Sequence, residues 1–121
     1  MTGHKISASA DVHDSMITDG CRIKGTVKHS VLFAGVKVAE GAVVEDAVVM
    51  GGTTIERGAV VRHCIIAENV TIKENAVVGA MPEGDEHGVA TVGSGITIGE
   101  GAVIGPKAMV RNNVEGGEEQ W

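Results

Sequence analysis

The sequence predicts an all-β fold: a single-stranded parallel β-helix of triangular section, with about five to six coils. Three observations carry that expectation. A unit of 17 residues repeats without gaps, aliphatic side chains recur within it every five or six positions, and the composition is β-branched and glycine-rich with almost no aromatics.

The repeat is plainest in residues 30–46 (SVLFAGVKVAEGAVVED), 47–63 (AVVMGGTTIERGAVVRH) and 64–80 (CIIAENVTIKENAVVGA). Three columns are aliphatic in every block: Leu32, Val49 and Ile66; Val38, Ile55 and Ile72; Val44, Val61 and Val78. The residue two before each is usually small or β-branched, as in Ala42, Ala59 and Ala76, or Val36, Thr53 and Val70. Residues i−2 and i of a strand point to the same side. Each block therefore reads as three short strands, each sending two side chains inward. Each strand is expected to pair with its equivalent one turn away, at about 4.8 Å.

Backwards, residues 15–29 fit the unit with two residues removed, placing Ile17, Ile23 and Val27 in the three columns. Ile6 and Val12 fill a partial turn before that. Forwards, a polar excursion over residues 80–91 interrupts the pattern. Val92, Ile98, Ile104 and Val110 then recur every six residues. The expected organisation is a β-helix over 1–110 with the excursion at 80–91, then a polar tail over 111–121 that frays. Corner columns hold Gly20, Gly35, Gly52 and Asn69, and Gly41, Gly58 and Asn75, residue types that tolerate positive φ.

Composition agrees with strands and excludes other classes. Val, Ile and Leu total 30, only one of them Leu, and the aromatics are Phe33 and Trp121. That is poor material for a helical bundle and good material for strands. A net charge of −6 argues against nucleic acid or an anionic membrane as main partner. No apolar run approaches the roughly 18 residues of a membrane span. The start has no signal-peptide pattern, which makes the cytoplasm the expected compartment.

The run Ser15-Met16-Ile17-Thr18-Asp19-Gly20-Cys21-Arg22-Ile23-Lys24-Gly25-Thr26-Val27 resembles the opening of the C-terminal β-helix of bacterial glucose-1-phosphate adenylyltransferase, which typically shows S-x-I-x-x-G-C-x-I-x-G-x-V. Its continuation S-V-L-F-x-x-V-x-V is matched by Ser30, Val31, Leu32, Phe33, Val36 and Val38. Residues 41–49, 70–79 and 95–99 are also similar, and the likeness covers about residues 10 to 105. The resemblance implies a left-handed coil. It implies a parent enzyme, a nucleotidyltransferase, making ADP-glucose and diphosphate from ATP and glucose 1-phosphate, with Mg²⁺, for glycogen synthesis. In that family the catalytic machinery lies in a separate N-terminal domain with no counterpart here. The β-helix supports tetramer assembly and borders the effector site. The chain is accordingly expected to lack catalytic and metal residues and a cofactor of its own, to turn nothing over alone, and to form homo-oligomers or join a full-length homologue. Two alternatives stay open: a stand-alone trimeric acyltransferase with its own histidine base, and an assembly module unrelated to that enzyme.

The residues that could carry chemistry are few. The histidines are His4, His13, His29, His63 and His87. Asp14, His29, Asp46 and His63 share one corner column, with His13, Lys28, Glu45 and Arg62 beside it. The expected role is a solvated ladder of mixed charge, with catalysis or metal binding as the rival reading. If the side chains meet, the histidine pKa rises. Cys21 and Cys64 fall at inward positions, where buried small hydrophobes belong. Gly51-Gly52-Thr53-Thr54 and Val92-Gly93-Ser94-Gly95 read as corners rather than phosphate cradles. The excursion carries Glu83, Asp85, Glu86 and His87, an acidic segment of no assigned role.

Overall fold

The computed structural model describes residues 5–6, 11–18, 20–79, 89–105 and 108–120. In chain order, β1 (Lys5–Ile6) and β2 (Asp11–His13) form a partial coil. Five full coils follow, each of three strands. They are β3 (Met16–Ile17), β4 (Arg22–Ile23) and β5 (Thr26–Lys28); β6 (Val31–Leu32), β7 (Lys37–Val38) and β8 (Val43–Glu45); β9 (Val48–Val49), β10 (Thr54–Ile55) and β11 (Val60–Arg62); β12 (Cys64–Ile66), β13 (Thr71–Ile72) and β14 (Val77–Val78); and β15 (Ala90–Val92), β16 (Thr97–Ile98) and β17 (Val103–Ile104). β18 (Met109–Val110) and β19 (Glu119–Gln120) belong to a last turn.

The strands sort into three sheets, one per side of the prism. The first is ordered β1-β4-β7-β10-β13-β16, the second β2-β5-β8-β11-β14-β17-β19, and the third β3-β6-β9-β12-β15-β18. Neighbours pair in parallel and in register: Leu32 lies on Val49, which lies on Ile66. The fold is the parallel β-helix that the repeat implies, with the left hand that the resemblance implies. Each inward aliphatic is sealed by like residues above and below, so Ile23, Leu32, Ile55, Ile66, Ile72 and Ile98 are fully buried. Each such side chain contributes roughly 1.5–3 kcal/mol against exposure, largely opposed by chain entropy.

All three corners turn through positive φ. Gly20, Gly35 and Gly52 adopt φ of 82°, 76° and 74°, a region that favours glycine. The corner between the second and third sheets is different. Asp14, His29, Asp46 and His63 sit there at φ 46–49°, where Asp and His are among the side chains best tolerated. The two residues missing from the first full coil are lost between β4 and β5, which Lys24 and Gly25 alone connect. A Cβ on Gly25 would run into the carbonyl oxygens of Ala39 and Ala42 in the next coil. The short corner therefore tucks under a longer one.

Two boundaries differ from expectation. Winding does not end at Val110: Val114 is buried and bridges Ile98, and Glu119–Gln120 pairs with Val103–Ile104. Val114 follows Val110 by four residues instead of six, and Gln120 stands where an aliphatic belongs, so the column pattern fails while the backbone pairing persists. Residues 111–120 are thus a further turn and not a frayed tail. The solenoid also resumes earlier than residue 92, because Ala90 and Thr91 already pair with Cys64 and Ile65. The rest of the excursion, residues 80–88, lies outside the described residues, as do His4, His87 and Trp121.

Candidate functional site

The histidine–aspartate column is where the repeat places it. Its regularity is conformational first: the backbone N–H groups of His29, Asp46 and His63 donate to the carbonyls of His13, Lys28 and Glu45 at 3.0, 3.0 and 2.9 Å. The αL turn is thereby tied to the coil before. His29 Nε2 approaches Asp14 Oδ2 at 3.8 Å, and both side chains stand well out in solvent. At that distance and exposure the pair contributes little. In the adjoining column Arg62 Nε lies 3.7 Å from Glu45 Oε2, and Lys28, Glu45 and Arg62 stack in register with alternating sign. Among the described residues no group of three or more His, Cys, Asp or Glu converges where a metal could sit.

The cysteines are buried, as expected. Cys21 Sγ donates to the carbonyl of Phe33 at 3.1 Å. Burial alone pushes the Cys64 thiol from 9.0 up to about 12, the opposite of an activated nucleophile. The glycine-rich segments are corners. Thr53 points inward, where its Oγ1 donates to Ala67 O at 2.9 Å and accepts from Val70 N at 3.2 Å. Nothing of it is left for a phosphate.

Ser30 performs a similar closure, which the sequence pattern did not reveal. Its hydroxyl donates to Lys28 O at 2.8 Å and accepts from Ala47 N at 3.1 Å. Ser15 repeats this one coil earlier, on His13 O and Ser30 N. An inward small residue that carries a hydroxyl next to an αL corner is the signal that identifies such a stitch.

The distinctive chemistry is on the outward rows. On the third sheet Met16, Val31, Val48, Ile65, Thr91 and Met109 follow one another in register. Met16 and Met109 are 72% and 63% exposed, and Phe33 adds a neighbouring exposed ring. On the first sheet the equivalent row reads Arg22, Lys37, Thr54, Thr71 and Thr97. Beside it a shallow depression of about 390 Å³ is lined by Arg22, Lys24, Lys37, Thr54, Glu56 and Arg57 among others. Both rows are visible in the sequence once outward positions are read down the repeat in the same way as inward ones.

Comparison with known proteins agrees with this geometry. Residues 2–99 match the family described as "GlmU-like, C-terminal hexapeptide". Glucose-1-phosphate adenylyltransferase of Geobacillus stearothermophilus is 52% identical over 40 residues, 33% of this chain and 10% of the relative. Among solved structures, the acetyltransferase domain of PglB from Neisseria gonorrhoeae, in complex with acetyl coenzyme A, superposes with a TM-score of 0.68 at 20% identity, covering 96% of this chain and 53% of that one. A mutant GDP-perosamine N-acetyl transferase from Caulobacter crescentus gives 0.67 at 19% identity, covering 98% and 52%. The chain thus spans about half the length of these structures, and its matched segment a tenth of the adenylyltransferase.

Proposed function

Since the chain belongs to the GlmU-like C-terminal hexapeptide family, we propose that it is a non-catalytic β-helix module, the assembly and regulatory portion of a glucose-1-phosphate adenylyltransferase or a close relative. The 52% identical segment supports the parentage. On this reading ATP, Mg²⁺ and glucose 1-phosphate belong to a nucleotidyltransferase domain that these 121 residues do not contain.

The outward apolar row of the third sheet carries the assembly role. It runs over six strands, about 24 Å at the spacing of parallel strands. Its occupant on this reading is the same row of another β-helix of this type, because two ladders of equal pitch interdigitate along their whole length. One face offers a few hundred Å² per copy, under the roughly 800 Å² per partner of a standard interface. Weak self-association is expected from the module alone, and firmer association where a catalytic domain adds surface.

Sedimentation velocity on the chain, alone and with a full-length adenylyltransferase homologue, tests this. Concentration-dependent oligomers and co-sedimentation, both weakened by Ile65→Lys, are the expected result. A monomer at all concentrations that ignores the homologue would overturn the assembly role, and ADP-glucose synthesis by the chain would overturn the non-catalytic one.

A second reading, a stand-alone acyltransferase, is favoured by His29 beside Asp14 at a solvent-facing corner. Calorimetry with acetyl coenzyme A separates the two, since the assembly module is expected to give no heat of binding.

A further inference from the structure

Phe33 is the single phenylalanine of the chain and one of its two aromatic residues. It is 44% exposed, while Val, Ile and Ala fill the core. It stands at the corner between the third and first sheets, just beyond β6. The register of the third sheet puts Thr18, Phe33 and Met50 in one column of that corner on successive coils. Ala34, Gly51 and Glu68 follow them in the next column.

These six residues line a depression of about 370 Å³. Its origin is local. Phe33 and Met50 carry long side chains, whereas Ala34 and Gly51 beside them carry a methyl group and none. The corner is therefore cut back over two coils. Gly51 is held small, since a Cβ there would come within 3.1 Å of Ala34 O. One coil further, the exposed Glu68 ends the cut. It is the one charged side chain among the described residues that line the depression. The N–H groups of Thr18, Phe33 and Met50 donate to the carbonyls of Leu32, Val49 and Ile66, each at 2.9 Å. They are thus spent on the coil and offer nothing to an anion.

We propose that this corner depression binds a small organic cation with a compact apolar body, of the trimethylammonium type. The chemistry of the lining asks for both halves of such a ligand. The Phe33 ring attracts a cation and also buries methyl groups. The Met50 thioether is polarisable and adapts to their shape. Glu68 offers acceptors only and supplies the countercharge. The coils of Phe33 and Glu68 are two rungs apart, about 10 Å. A cation between them lies within the roughly 6 Å of the ring at which cation–π attraction acts. A net charge of −6 draws cations and not anions toward the surface. A neutral apolar molecule would use Phe33 and Met50 and gain nothing from Glu68. The site does not rest on the assembly role, because it is built from corner residues and needs no second copy.

The test is a ¹H–¹⁵N titration of the full chain with choline and, separately, with 3,3-dimethylbutan-1-ol, which has the same shape without the charge. Choline is expected to give saturable shifts at the amides of residues 33–34, 50–52 and 67–69, with the neutral alcohol several-fold weaker. Glu68→Gln is expected to weaken choline about fivefold and to leave the alcohol unchanged. Phe33→Leu keeps an apolar wall without the ring and should weaken choline about two- to fivefold. Glu118→Gln, an exposed carboxylate elsewhere, is the control and should change nothing. Equal affinity for choline and the alcohol would overturn the cationic ligand. Shifts spread over every carboxylate, or choline binding undiminished in both Phe33→Leu and Glu68→Gln, would overturn the site. Shifts at these amides that follow protein concentration and ignore choline would assign the depression to contact between copies and overturn it too. Phe33 and Glu68 are exposed, so the variants keep the core, and an unchanged melting curve verifies that.

Discussion

Ile65 and Ile66 are adjacent in sequence and lie on opposite sides of β12. Ile66 is fully buried, whereas Ile65 is 39% exposed on the apolar outer row. Ile66→Ala removes three carbons from the core row between Val49 and Val92. At about 0.8 kcal/mol per buried methylene the transfer loss is about 2.5 kcal/mol. Strand pairing above and below keeps the walls from closing, so a void remains and the total reaches about 3–4 kcal/mol. For a chain of this size that is a fall in melting midpoint of roughly 10–15 °C. Ile65→Ala gives up only partial contacts and should stay within about 1 kcal/mol in the unassociated chain.

Urea unfolding followed by circular dichroism, at two protein concentrations well apart, measures both. The Ile66→Ala loss should be the same at each concentration. The Ile65→Ala loss should grow with concentration, because a side chain used between copies stabilises by mass action. Equal losses for the two isoleucines, or less than about 1 kcal/mol for Ile66→Ala, would refute the assignment of inside and outside on which the columns rest.

Three further outcomes follow from particular contacts. Gly25→Ala should cost more than about 2 kcal/mol in urea unfolding, since the new Cβ meets two backbone carbonyls that cannot swing aside; Gly95→Ala, with open space around it, should show only the cost of its positive φ. Thr53→Val fits the column of Val36 and Val70 by shape, yet it strands Ala67 O and Val70 N. It should cost about 1–3 kcal/mol, with Thr53→Ser recovering most. Cys64 makes stability depend on alkaline pH. Its thiol ionises near 9.0 when unfolded and near about 12 when folded. Its contribution is therefore whole below pH 9.0 and is lost as pH rises through that window, because the unfolded chain sheds the proton first. The expected slope is about −1.4 kcal/mol per pH unit, and Cys64→Ala should remove it from unfolding curves taken between pH 8 and 11.

The inward rows were legible because burial on a parallel ladder leaves one kind of residue per column, and a 17-residue period displays that directly. The shortened first coil was legible as a deletion, and the four-residue step from Ile23 to Val27 already places it between those two columns. The close approach of Gly25 to Ala39 and Ala42 shows how the cut corner is accommodated. The last turn was missed because backbone pairing tolerates Gln120 in an aliphatic column, while a reader of columns does not. In the Asp14–His29–Asp46–His63 column the charges suggest electrostatics, and the structure shows a conformational cause: φ near 47° selects Asp and His before their charges matter. Sign alternation is real in the neighbouring column, where Lys28, Glu45 and Arg62 have ordinary strand geometry and nothing but charge distinguishes them.

Where function can be written on such a molecule follows from the same geometry. Every outward side chain is one residue away from an inward one, yet the two never touch, because the sheet lies between them. The core columns hold the coil, and the outer columns are free to diverge without cost to it. Each side has done so: Arg22 and Lys37 giving way to threonines on the first, valines at 43, 60, 77 and 103 on the second, methionine and isoleucine on the third. Structures that share only 20% of their residues over 96% of this chain can then share its fold. Fold and function occupy separate columns of one repeat. The likeness to acetyltransferases accordingly bears on the inner columns, and the role of this chain has to be sought in the cationic and apolar rows outside.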